Sequence, residues 1–235
     1  MGTHTYELLI KLSVLILLPI LVTLATNILL ELSKKRTSTQ EIKKGIISEL
    51  KELQIHISNL CFQFTMESGI VTKEWANWMK PYDNLLHSST LYDYTGNVLS
   101  TEDDAKWINL TGDELFDWLN TLIPVIEKTK SHSEASPEVT LSLPKISMYY
   151  TESNIGLLAL YGELLQQKIL ILKREINNLN FLSEQLWYYH TKIIEGTNRK
   201  TCITNIQELN DRVAKRTRYI VTQIQNILDE FDKMV

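Results

Sequence analysis

The sequence predicts an all-α protein: a single N-terminal transmembrane helix followed by a cytoplasmic helical bundle with long antiparallel helices. Three observations predict it. Residues 12–30, LSVLILLPILVTLATNILL, carry no formal charge. Apolar residues recur at three- and four-residue spacing through the long segments that follow, the period of a one-sided helix. Glycine and proline, eight and five in 235 residues, are too scarce to punctuate many strands and turns.

The first element is the span. A helix needs about 20 mostly apolar residues to cross a hydrocarbon core of roughly 30 Å, and residues 12–32 supply them after a short extracytoplasmic segment, 1–11. A cleaved signal fits poorly, because the apolar run exceeds a signal core and resumes at Ile28-Leu29-Leu30 beyond the only cleavage-like site. Lys34, Lys35, Arg36, Lys43 and Lys44 follow the span, and only Lys11 precedes it. The positive-inside rule then places the protein in the cell inner (plasma) membrane, amino terminus outside and C-terminal domain cytoplasmic. Within the span Pro19, Thr23 and Asn27 lie four apart on one stripe, and Asn27 in lipid favours a hydrogen bond to a neighbouring helix. These three residues are the candidates for self-association of the anchor.

A basic linker, 33–40, leads to a helical domain at 41–235. Ser38-Thr39-Gln40-Glu41 has the form of a capping box, in which hydroxyl and carboxylate satisfy exposed backbone donors reciprocally. Ile46, Leu50, Leu53, Ile57, Leu60 and Phe64 then follow at 4-3-4-3-4 spacing and predict a helix over 42–66. Residues 67–111 form a Trp-rich insertion with a short helix around Trp75 and Trp78, disturbed at Pro81. Thr111-Gly112-Asp113-Glu114 is a second capping box and opens a helix over 112–128. Residues 129–144, with two prolines and many hydroxyls, read as loop. Two long helices, 152–195 and 201–234, close the chain as an antiparallel hairpin around Gly196. With the 42–66 helix they make three, and the 112–128 helix can complete a four-helix bundle.

Chemistry is harder to place. The five histidines lack ligand spacing to one another or to cysteine, and no phosphate loop, nucleophile elbow or zinc-protease motif occurs. No catalytic residue, metal ligand or cofactor is therefore assigned, and the expectation is a protein that is not an enzyme. The net charge of −4 argues against general nucleic-acid binding. Cys61 and Cys202 read as free thiols in a reducing cytoplasm; an inverted, extracytoplasmic topology would allow them to bridge.

The candidate ligand residues are Arg212, Lys215 and Arg216, which share a helix face, with Trp75 and Trp78. Guanidinium grips phosphate or carboxylate at two points, and aromatic rings offer flat apolar area. The ordinary alternatives are a solvated basic face and core packing. Arg216 interrupts the apolar stripe of the last helix, so it needs an anionic partner: a ligand, or Glu163, Glu175 or Glu184. The expected function is a non-catalytic, single-pass membrane protein. Its cytoplasmic domain binds an unknown protein partner or an anionic small ligand and couples that state to self-associating anchors in the lipid bilayer, within a homo-oligomer. A membrane-disrupting effector of a stress or antiphage defence system, triggered by a cytoplasmic signal such as a nucleotide, and an extracytoplasmic sensor are the alternatives.

Overall fold

In the computed structural model, described over residues 38–69, 71–85, 110–132, 143 and 145–234, every regular element is a helix. Among these residues there is no strand, and no helix is long and apolar enough to cross a membrane. The predicted span, 12–32, and its stripe of Pro19, Thr23 and Asn27 lie outside the described residues, as do Tyr92, Tyr94 and Trp107.

Two compact units divide the chain between Ile46 and Ile47. In the first, residues 38–46 are helical, and Ile42 and Ile46 are buried. The second begins with α1, residues 47–68. Its predicted stripe, Leu50, Leu53, Ile57, Leu60 and Phe64, is buried throughout. From Ile57 to Phe62 every residue is buried, including Ser58, Asn59 and Cys61. A helix covered on all sides at one end has a second layer packed there.

That layer is a pair of helices. Helix α2, Lys73–Met79, starts where the Thr72 hydroxyl accepts the Trp75 N–H at 3.1 Å, and tightens into a 3-10 turn, Lys80–Leu85, around Pro81. Helix α3, Gly112–His132, opens with the predicted box: the Thr111 N–H donates to Glu114 Oε2 at 2.7 Å, and the Glu114 N–H donates to Thr111 Oγ1 at 3.3 Å. These bonds hold the Glu114 carboxyl below the usual carboxylate range. Phe62 and Met66 of α1 pack with Trp75, Ala76 and Met79 of α2 and with Leu115 and Leu119 of α3. Helix α3 thus covers one end of α1, where a fourth helix lying along the bundle was expected. Gly112, Leu115 and Leu119 are its buried positions in the described part, a stripe two turns long. The helix continues past Pro124 to His132, into a stretch expected to be loop.

The long helix expected from Glu152 begins at Glu163. Before it come a short helix α4, Tyr149–Ser153, and a 3-10 segment, Ile155–Tyr161. Gly162 makes the break, at φ 95° and ψ 152°, a conformation that side chains other than hydrogen rarely adopt. The Glu49 carboxylate of α1 caps α4, accepting the Tyr150 and Thr151 N–H groups at 2.8 Å and the Thr151 hydroxyl at 2.5 Å. Asn180 braces the preceding strap, donating to the Ile146 carbonyl at 2.8 Å and accepting its N–H at 2.9 Å.

Helix α5, Glu163–Ile194, and helix α6, Arg199–Lys233, form the predicted hairpin. Gly196, at φ 74°, closes α5: its N–H donates to Ile193 O at 3.0 Å and that of Thr197 to Lys192 O at 3.0 Å. This double bond pattern with a left-handed glycine terminates helices by satisfying their last carbonyls. Across the hairpin Lys168 meets Glu230 at 3.0 Å and Glu175 meets Arg216, so the helices run antiparallel. Gln54 donates to Gln225 at 2.8 Å and the Cys61 thiol lies 3.9 Å from Ala214 O, so α1 is antiparallel to α6 as well.

The stripe of α6 proves continuous. Val213, Thr217, Ile220, Ile224, Ile227 and Phe231 are all buried at 4-3-4-3-4 spacing. Thr217 fills the apparent gap because its hydroxyl donates back to the Val213 and Ala214 carbonyls at 2.8 and 3.0 Å, which removes the penalty of burying it.

Candidate functional site

Of the candidate ligand residues, Arg216 has the most defined partner. It sits one position before the buried Thr217 and turns toward α5, where its guanidinium pairs with Glu175 Oε2. The Glu175 carboxylate is 5% exposed, and Arg174, 70% exposed, donates to its other oxygen at 3.3 Å. A buried carboxylate requires such compensation, and two guanidinium groups supply it. Of the three glutamates considered for Arg216, it is therefore Glu175 that takes the role.

Lys215 and Arg212 remain on the exposed side of α6. Lys215 reaches back one turn to Asp211 at 2.6 Å, an exposed pair, and Arg212 makes no ion pair among the described residues. A further cation of the same run, Arg218, points another way and stacks over the Trp78 ring, 5.0 Å from its centroid. Trp78 also leans on Tyr82 at 5.2 Å. The tryptophans and the Arg212–Lys215–Arg216 face are thus held by different neighbours. Arg216 faces α5, whereas Arg218 faces α2.

Trp75 is a core residue, 4% exposed and 6.1 Å from the Phe62 ring. Its indole N–H meets no oxygen acceptor and lies beside the Cys61 sulfur. Complete burial pushes the Cys61 thiol up to about 11, against smaller opposing hydrogen bonds from Thr217, Trp75 and Thr65. Such a thiol is protonated and unreactive at neutral pH. Cys202 is buried too, with its thiol 3.5 Å from Thr197 O. Cys61 packs against Ala214, which lies twelve positions along α6 from Cys202, a rise of about 18 Å. The two sulfurs therefore do not bridge in this fold.

Among the described residues, no group of three or more His, Cys, Asp or Glu side chains is placed to hold a metal ion. The surface has one feature that the candidate list missed. Helix α5 exposes Phe181 (57%) and Tyr188 (55%) on its outer side while its inner side builds the core, and Leu164 (62%) and Trp187 (64%) are exposed near its two ends. Their sequence signal is apolar residues falling between the core positions of α5. No protein-family model, curated protein or solved structure matches the chain.

Proposed function

We propose that the chain is a non-catalytic, single-pass membrane protein whose helical domain is an interaction module, with the outer face of α5 as its contact surface. The observation that carries this reading is the exposure of Phe181 and Tyr188, two turns apart on the face of α5 opposite its buried stripe. Contiguous exposed apolar area marks interaction sites, and aromatic residues are enriched where proteins meet. The engagement of Arg216 by Glu175 and of Trp78 by Arg218 favours a protein partner over a small anionic ligand. The separation of Cys61 from Cys202 removes the disulfide that an extracytoplasmic domain would have offered. The span at 12–32 supplies the anchor in this reading, and Asn27 adds a contact between anchors worth about 0.6–2 kcal/mol, too little to hold two copies together without α5.

The test uses the full chain in its membrane. Membranes washed with alkaline carbonate are expected to retain the protein, and an amine-reactive cross-linker should convert it to higher-mass species. Phe181→Asp should stay at monomer mass with its helical spectrum intact. Release by carbonate, or cross-linking indifferent to Phe181→Asp, would overturn the proposal.

A further inference from the structure

Helix α5 carries two stripes. The inner one, Leu165, Ile169, Leu172, Ile176 and Leu179, is buried. The outer one is Leu170, Arg174, Asn177, Phe181, Glu184 and Tyr188, spaced 4-3-4-3-4 and exposed at all six positions. That spacing traces one face of the helix, here about 27 Å long at 1.5 Å per residue, with apolar side chains at three of its six positions. We infer that this ridge is a homodimer interface in which the α5 helices of two copies pair antiparallel, with the two-fold axis at the level of Leu179. The inference deepens the interaction reading above and rests on it.

The order of residues along the ridge carries the inference. Antiparallel pairing about that level places Leu170 against Tyr188, Arg174 against Glu184 and Asn177 against Phe181, each layer occurring twice by symmetry. A two-fold contact requires a surface complementary to itself, and this ridge has opposite charges at equal distances from its centre. Parallel pairing in register would stack arginine on arginine and glutamate on glutamate, which is repulsive. An unrelated partner would not require that symmetry. Both charges are available. Glu184 is exposed and makes no ion pair among the described residues. Arg174 is 70% exposed, and its contact with Glu175 engages one edge of the guanidinium at 3.3–3.4 Å. Phe181 (57%), Tyr188 (55%) and Leu170 (44%) provide the apolar area.

The experiment mixes two differently tagged full-length chains in detergent micelles, one carrying Leu170→Cys and the other Tyr188→Cys, under mild oxidation. Both positions are exposed, and the native cysteines are buried. A cross-link between the two tags, with little between like tags, is expected. Like-tag cross-links would mean parallel pairing and overturn the inference; so would the absence of any cross-link. Glu184→Arg should raise the dissociation constant about tenfold, equivalent to ~1.4 kcal/mol. If Phe181→Asp abolishes association but the 170–188 cross-link never forms, the contact surface stands and the second copy in this orientation does not. If association ignores Phe181→Asp, both fall.

Discussion

Replacing Arg216 with alanine removes one of two cations from a carboxylate that is 5% exposed. Deleting one partner of a fully buried ion pair costs about 3–5 kcal/mol, because the remaining charge is left uncompensated. Two features of this pair lower the figure. Arg216 is itself 37% exposed, so water screens part of the interaction, and Arg174 still donates to Glu175 from the other side. A loss of about 2 kcal/mol, below that range, is expected for those reasons. In a domain of this size that corresponds to roughly 4–8 °C in melting temperature. The assay is urea unfolding of the full chain in detergent, followed by circular dichroism. Glu175→Gln provides the control, since it removes the charge and keeps an oxygen acceptor. Arg216→Ala should be milder in the Glu175→Gln background than alone, with a coupling of about 1 kcal/mol. A destabilisation below about 0.5 kcal/mol, within the usual range of a neutral surface change, with no coupling to Glu175, would refute the assignment of Arg216 as a structural residue. It would return Arg216 to the list of ligand-binding candidates.

Three further outcomes follow from other parts of the fold. Gly112→Ala should loosen α3 on α2, because a Cβ there would lie 2.8 Å from the Asn77 backbone Cα; faster proteolysis near residue 112 is the readout. Thr111→Ala should lower stability by about 1 kcal/mol through loss of the cap at the start of α3, measured by the same unfolding curves. The Cys61 thiol is raised from 9.0 to about 11 by folding, so its contribution is complete below pH 9 and is lost as pH climbs through 11. Stability should therefore fall between those values, and Cys61→Ala should flatten that part of the profile; an identical slope in the variant would contradict the burial of this thiol.

Legibility in the sequence followed how local each cause is. The α1 stripe, the Thr111–Glu114 box and the Gly196 stop depend on neighbours within one or two turns, and each can be read from spacing alone. The start of α5 could not, because only the backbone at Gly162 distinguishes a break from a continuing helix. Thr217 was hidden for a related reason: a hydroxyl counts as polar until its bond to the Val213 carbonyl is seen. Trp75 and Trp78, three residues apart, divided between core and stacking because α2 has a packed side and an open one. Arg216 was legible as needing an anion, and the choice of Glu175 required knowing how α5 and α6 register. The outer ridge of α5 went unread because three of its six positions are polar, and apolar periodicity detects only the inner stripe.

Light scattering on the detergent-solubilised full chain, across a hundredfold dilution, tests the role of α5 most directly. The wild-type protein mass should fall from dimer toward monomer on dilution, and Phe181→Asp should be monomeric throughout with an unchanged melting temperature. A wild-type chain that is monomeric at every concentration, or a Phe181→Asp variant that associates equally well, would contradict the assignment of α5 as an interface.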